Sequence, residues 1–127
     1  TGTLADPIVI PSLPFGDYRD TRTAGPSTID RYTSCSQANE SGPELFYKLT
    51  VTQPTNLRIM VMSRGTSDID VHLLDTPPDG AHCMARNDKT IVTTVQPGTY
   101  YLSLDSYVNS AGTVLSGQYL LVVIADP

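Results

Sequence analysis

Apolar and polar residues alternate at every second position along much of this chain, which is the period of a half-buried β-strand. The alternating segments are separated by short runs rich in Gly, Pro, Asn and Asp, which are typical of turns. No segment shows the apolar spacing and polar cap of an amphipathic helix. The predicted strands are 44–51, 56–63, 69–75, 89–95, 99–107 and 117–125, with possible short strands at 6–15 and 28–32.

The same alternation predicts which side chains face the core. Four of the predicted strands, 44–51, 56–63, 69–75 and 99–107, have an inward series of apolar residues two positions apart. The predicted inward residues are Leu45, Tyr47, Leu49, Val51, Leu57, Ile59, Val61, Ile69, Val71, Leu73, Tyr100, Leu102 and Leu104. Many short strands at this spacing favour a sandwich of two antiparallel sheets.

The first part of the chain departs from this rhythm. Residues 6–15 contain a short apolar stretch between prolines, and a proline cannot donate a hydrogen bond to a sheet, so an edge strand is the most we expect there. Residues 17–27 are polar and include Gly25 and Pro26, which predicts a loop. We therefore divide the chain into an N-terminal extension or linker, residues 1–26, and a β-sandwich domain, residues 27–127.

Length and charge exclude several classes of partner. The 127 residues suffice for one domain with a sizeable core. The formal net charge is −5 and the arginines are scattered, which contradicts a nucleic-acid-binding surface and an anionic membrane surface. No apolar run approaches the about 20 residues that a membrane-spanning helix needs, so we expect no membrane insertion.

The two cysteines, Cys35 and Cys83, predict one disulfide. They lack the C-x-x-C spacing of a structural zinc site. Both lie in polar, loop-like segments, and an even cysteine count fits an oxidising compartment. The alternative is a pair of buried free thiols.

The segment TSDIDVHLLD, residues 66–75, contains most of the candidate chemistry. Asp68, Asp70 and His72 share one face of the predicted strand, but residues two apart lie about 6.6 Å from each other, which makes a zinc site awkward. A hydrolytic site would need a nucleophile beside His72 or His82. No recognisable motif surrounds the candidate nucleophiles Ser67, Ser103 and Ser106.

Two interpretations of the acidic residues stay open. Calcium accepts many oxygen ligands from flexible loops, so a calcium site is one of them. Its candidate ligands are Glu44, Asp68, Asp70, Asp88, Asp105 and Asn109. In the other interpretation, Asp68 and Asp70 face solvent near a strand end or cap the backbone amides of nearby loops.

Four segments occur in an order that resembles the bacterial pre-peptidase C-terminal domain family. They are PELFYKLTV, SDIDVHLLD, QPGTYYLSLDSY and SGQYLLVVI, of which DIDVHLL and PGTYY are the most specific. The resemblance covers residues 28–124. It implies a small, single-domain, jelly-roll-like sandwich without catalytic activity, attached to a secreted bacterial hydrolase. The collagen-binding domains of collagenases look like relatives, and some relatives bind calcium.

Two functional classes follow from the residues and the resemblance together. In the first, the chain is an accessory module that binds a polymer, such as cell-wall glycan, polysaccharide or protein fibre, for an attached catalytic domain. Exposed tyrosine rings would suit such a surface, although the absence of Trp weakens the case for a sugar platform. The candidates are Tyr18, Tyr32, Tyr47, Tyr101 and Tyr107. In the second, it is a structural or export and folding-assistance domain with no ligand. In both, we expect a secreted or cell-surface location.

Overall fold

The computed structural model describes residues 1–127 and contains nine strands. They are β1 (Ile8–Ile10), β2 (Phe15–Asp20), β3 (Glu44–Val51), β4 (Thr55–Ser63), β5 (Ile69–Leu74), β6 (Cys83–Asn87), β7 (Thr90–Val95), β8 (Gly98–Ser106) and β9 (Gln118–Ala125). Sheet A has the order β1-β3-β8-β5-β6, and sheet B has the order β2-β9-β4-β7. Only β1 and β3 pair in parallel. The prediction of an all-β sandwich is confirmed.

Helical structure is limited to two short 3-10 turns, Thr21–Thr23 and Gly80–His82. In each, an aspartate that precedes the turn accepts a hydrogen bond from a backbone amide inside it. No helix in the chain is long and apolar enough to cross a membrane.

The main core lies between the two sheets and contains 20 buried residues. All of the side chains that the alternation predicted to face inward on β3, β4, β5 and β8 belong to it. Fully burying one such aliphatic or aromatic side chain contributes about 1.5–3 kcal/mol, so the core is the main source of stability. The register of every central strand is fixed as a result, because a shift by one residue would turn this set toward solvent.

The N-terminal segment supplies an edge strand to each sheet. β1 lies beside β3, with Ile8 and Ile10 buried. β2 lies antiparallel to β9, where the ring of Phe15 meets that of Tyr47 edge to face. Residues 17–20, which were predicted to be a loop, belong to β2. The segment escaped the pattern because an edge strand at the margin of a sandwich is largely exposed and therefore polar.

Two other strand predictions are wrong. Residues 28–32 form no strand, although Ile29 and Tyr32 are buried. Residues 83–87, which the sequence places in a loop-like context, form β6 and pair with β5. Alternation fails to predict the structure in both places, because these residues are buried by side chains from distant parts of the chain.

An irregular segment, residues 27–43, packs on the outer face of sheet A, and we call it the covering loop. Its Ile29 and Tyr32 enter a small second core on that face. The other buried members of this core are Phe46, Leu74 and Cys83. A disulfide joins Cys35 of the covering loop to Cys83 of β6, with the two Cα atoms 5.7 Å apart. The predicted disulfide is thereby confirmed.

We predict that replacing both cysteines by serine lowers the free energy of unfolding by about 2–4 kcal/mol. The bond closes a loop over 48 residues of sequence separation, and its loss restores conformational entropy to the unfolded chain. Urea unfolding of the C35S/C83S variant and of the unreduced parent measures the difference. Thiol titration of the unfolded, unreduced parent is the control, and two reactive thiols per chain would contradict the prediction.

Candidate functional site

Strand β5 is buried on both faces, which changes the interpretation of its polar residues. The apolar residues Ile69, Val71 and Leu73 face the main core, as predicted. Asp70 and His72 point the other way, beneath the covering loop, and are 1% and 0% exposed. The expectation that Asp70 faces solvent is therefore wrong. Alternation separates the two faces of a strand, but it cannot show that a distant loop covers the second one.

A single guanidinium is shared by two carboxyl groups at this buried face. Nη2 of Arg86, on β6, lies 2.8 Å from Oδ2 of Asp70 and 3.4 Å from Oε2 of Glu40. Glu40 belongs to the covering loop and is 1% exposed. Burial, with a further contribution from Asp70, raises the pKa of Glu40 to about 10. Burial therefore disfavours the ionised form of Glu40, and Asp70 makes the shorter contact with the guanidinium.

The imidazole of His72 is enclosed between the covering loop and β8. It stacks on the ring of Tyr32, with centroids 3.6 Å apart, and its Nδ1 lies 3.4 Å from the backbone oxygen of Ser103. Burial lowers the pKa of His72 to about 3. The ring is therefore neutral at pH 7. Its Nε2 lies 3.9 Å from Oε2 of Glu40, and this contact is not an ion pair.

A second pair of carboxyl groups anchors the start of the covering loop. Glu44 and Asp105 are cross-strand neighbours on β3 and β8. Glu44 accepts hydrogen bonds from the backbone amides of Thr28 and Ile29, and Asp105 accepts one from the hydroxyl of Tyr32 at 2.7 Å. Burial, reinforced by Glu44, raises the pKa of Asp105 well above its usual range. The pair therefore holds two segments of the loop against sheet A.

The hydroxyl groups of the three serines considered as nucleophiles form hydrogen bonds with groups other than a histidine ring. The hydroxyl of Ser103 lies 2.5 Å from that of Tyr32. The hydroxyls of Ser67 and Ser106 donate to the backbone oxygens of Arg64 and Pro43. His82 is exposed and pairs with a neighbouring aspartate in its own turn.

The six residues considered for calcium do not converge on one point. Three of them are buried beneath the covering loop, namely Glu44, Asp70 and Asp105. The side-chain oxygen of Asn109 accepts hydrogen bonds from two backbone amides of its own loop. Asp68 and Asp88 lie at the edge of the sandwich. No group of three or more His, Cys, Asp or Glu side chains is arranged to hold a metal ion. The six residues do not fit a single calcium site, and calcium binding stays a prediction.

The five tyrosines considered for a binding surface do not share a face. Tyr32 and Tyr47 are 1% and 0% exposed, so their assignment to an exposed surface is wrong. Tyr101 packs against the second core, and Tyr107 is half-buried. Tyr18 is 52% exposed on the outer face of sheet B. A tyrosine ring suits a core as well as a surface, so its presence in a strand does not decide between them.

The outer face of sheet B is open and has an apolar patch over strands β4 and β9. Met60 and Met62 of β4 lie opposite Val122 and Leu120 of β9, and Tyr18 of β2 lies beyond Leu120. A groove of about 510 Å³ runs over the β4 and β9 part of this face, and we call it the sheet B groove. Met62 is 67% exposed. Met60 lies between the inward-facing Ile59 and Val61, so alternation turns its side chain away from the core, but alternation does not show that this face stays uncovered.

One end of the sheet B groove is acidic. Asp68 lies where the chain crosses from β4 in sheet B to β5 in sheet A, and Asp88 lies where it crosses back from β6 to β7. Both line the groove, together with Lys89. Burial, followed by the nearby Asp70 and Asp88, raises the pKa of Asp68. The two crossovers therefore bring Asp68 and Asp88, two of the residues considered for calcium, to the same end of the groove.

The comparisons with known proteins identify a shared fold. No protein-family model matches the sequence, and no curated protein matches it. The pre-peptidase C-terminal domain of a collagenase from Bacillus anthracis is similar in structure, with a TM-score of 0.62 and 18% identity over 93% of this chain and 94% of that domain. A periplasmic inhibitor of g-type lysozyme from Aeromonas hydrophila has a TM-score of 0.59 and 12% identity, over 94% of this chain and 95% of its own.

The likeness to the pre-peptidase C-terminal domain that the sequence predicted is thus confirmed for the fold.

We predict that the free energy of unfolding falls as the pH rises from about 7 to about 9. Glu40 keeps its proton to about pH 10 when folded but ionises near its ordinary pKa of 4.5 when unfolded, so the folded state binds more protons in this range. The slope is on the order of 1 kcal/mol per pH unit for each such group. His72, with its depressed pKa, opposes this trend only below about its ordinary value of 6.5.

Urea unfolding at several pH values measures this slope. The Glu40→Gln variant should show a shallower slope, because the amide carries no titrating proton. Asp30→Asn removes an exposed carboxyl group from the same loop and should leave the slope unchanged. A parent chain whose stability is flat over this range would contradict the prediction.

We also predict that Arg86→Met lowers the free energy of unfolding by about 3 kcal/mol, because it leaves the charge of Asp70 buried without a partner. Adding Asp70→Asn should restore part of the loss, since it removes that uncompensated charge. Urea unfolding of the parent, both single variants and the double variant gives the coupling between the two residues. Independent, additive effects of the two substitutions would show that the pair does not act as a unit.

Proposed function

We propose that this chain is a non-catalytic accessory module of a secreted hydrolase and that it binds a polymeric substrate or a cell-surface component through the outer face of sheet B. The observation that supports this most is the open apolar surface formed there by β2, β9 and β4. Its central side chains are Tyr18, Met60, Met62, Leu120 and Val122. The fold shared with a collagenase domain favours the same class of function.

The two outer faces of the sandwich differ in a way that points to one of them. The outer face of sheet A is closed by the covering loop, its disulfide and its buried carboxyl groups. The outer face of sheet B has no such cover, although its two central strands present apolar side chains there. An outer sheet face is ordinarily polar, and a contiguous exposed apolar patch is typical of an interaction surface.

The shape of this face suits an extended ligand. Three neighbouring strands contribute to it, so a polymer lying across them would contact several side chains at once without entering a deep pocket. The alternative is a structural or folding-assistance domain without a ligand. That alternative does not explain why Met60 and Met62 point outward. Retention on insoluble polymers distinguishes it from the proposal.

The compartment fits an accessory role outside the cytoplasm. A disulfide that closes a long loop is stable in oxidising compartments, where secreted hydrolases act. Secretion, and attachment to a catalytic domain, are parts of the proposal.

We predict that the purified chain is retained on at least one insoluble polymer of a panel containing cell-wall peptidoglycan, polysaccharide and collagen fibres. Met62→Ser should weaken retention about tenfold, because it removes exposed apolar area from the binding face. Met84→Ser is the matched control, since Met84 is 46% exposed on β6, outside the sheet B groove. Sedimentation with the polymer followed by quantification of the bound fraction measures the effect.

Retention on none of the polymers would favour the ligand-free alternative. Equal losses from Met62→Ser and Met84→Ser would place binding on another surface.

A further inference from the structure

We infer that the polymer recognised by the sheet B groove is a polypeptide, held as an extended segment with an aliphatic side chain and a basic side chain two positions apart. The inference rests on the proposed function for the location of binding and adds the chemistry of the ligand. Two properties of the groove support it, namely an adaptable apolar floor and an acidic end whose two carboxylates form no ion pair within the chain.

The floor of the groove favours an aliphatic side chain. It consists of Met60 and Met62 with the cross-strand partners Val122 and Leu120. Methionine side chains are flexible and polarizable, so they adapt to apolar groups of different shapes. No aromatic ring lines the groove, and the chain contains no Trp. The floor of the groove therefore offers no flat ring on which a sugar would stack, and the nearest exposed ring on this face, that of Tyr18, lies outside the groove beyond Leu120.

The acidic end favours a cation. The ion pairs formed within the chain engage other carboxylates, so neither Asp68 nor Asp88 has a cationic partner. The neighbouring Asp70 is already neutralised by Arg86. Lys89 lines the groove beside the two carboxylates, and the guanidinium of Arg86 lies in the adjoining recess, where Asp70 engages it. The three carboxylates at this end therefore outnumber the two cations.

Repulsion between the two carboxylates adds to this preference. Asp68 is half-buried and Asp88 is exposed. Both line the sheet B groove and also a second recess, which contains Asp70 and Arg86. Burial, followed by the charges of Asp70 and Asp88, raises the pKa of Asp68, and Arg86 offsets part of this effect. A lysine or arginine side chain placed between them would relieve that repulsion.

The dimensions allow both contacts within a short segment. The groove has a volume of about 510 Å³, within the range of about 300–1,000 Å³ that is typical of ligand sites. In an extended chain, residues two positions apart point to the same side, about 6.6 Å from each other. One such residue would lie on the methionine floor, and the next one on that side would reach the carboxylates.

Titration of the labelled protein by amide chemical-shift mapping tests the inference. The probe is the acetylated, amidated pentapeptide Gly-Leu-Ser-Lys-Gly. Its matched peptides replace lysine by norleucine, which keeps the stem and removes the charge, or replace leucine by serine. We expect shifts around the groove and binding about fivefold weaker for each matched peptide. An oligomer of N-acetylglucosamine serves as the glycan probe and should bind no better than either matched peptide.

Variants of the protein test the same contacts from the other side. Asp68→Asn with Asp88→Asn should weaken binding of the lysine peptide about fivefold and leave binding of the norleucine peptide unchanged. The control double variant, Asp30→Asn with Asp75→Asn, removes the same charge from exposed sites outside the groove. It therefore corrects for the general attraction between an acidic protein and a basic peptide. Urea unfolding of each variant confirms that it is folded.

The outcomes separate this inference from the proposed function. If the chain is retained on a polymer but binds the lysine and norleucine peptides equally, or binds the glycan oligomer better, the inference is overturned and the accessory role stands. If the lysine peptide binds more tightly than the norleucine peptide, and only the double variant of Asp68 and Asp88 weakens its binding about fivefold, the inference stands. Equal effects of the two double variants would assign the preference to net charge and overturn it.

Discussion

The attachment of the covering loop to sheet A is the contact on which the rest of this structure depends. Glu44 and Asp105 bind the start of the loop, Glu40 brings its end to Arg86, and the disulfide joins its middle to β6. Carboxyl groups in such a place are costly to ionise, and burial raises the pKa values of Glu40 and Asp105. Hydrogen bonds to the covering loop and the ion pair between Asp70 and Arg86 offset part of that cost.

The covering loop closes the outer face of sheet A, so the outer face of sheet B is the one that stays open. Once the covering loop occupies sheet A, its polar residues serve packing and hydrogen bonding and are no longer accessible to a ligand. The outer face of sheet B remains open, with apolar side chains in the centre and Asp68 and Asp88 at one end. The chemistry that the sequence concentrates in one strand is therefore divided. Asp70 and His72 belong to the loop attachment, and Asp68 lies at the rim of the groove.

The similar structures show how little sequence this fold requires. A collagenase domain and a lysozyme inhibitor share the sandwich with this chain at 18% and 12% identity. Alternation of apolar and polar residues and the spacing of turns are sufficient to specify two packed sheets. They do not specify the outer surfaces, on which function depends, so a shared sandwich is compatible with different roles.

The sequence by itself determined the central strands, their inward faces and the pairing of Cys35 with Cys83. Period-two alternation is a local property, and two cysteines allow one intramolecular bond. The tertiary structure alone decided that 15–20 and 83–87 are edge strands and that Asp70, His72, Tyr32 and Tyr47 are buried. It alone brought Asp68 and Asp88 together at the end of a methionine-lined groove. The physical reason is that burial and the pKa of a polar group depend on what lies above the strand. In this chain, that neighbour comes from segments tens of residues away.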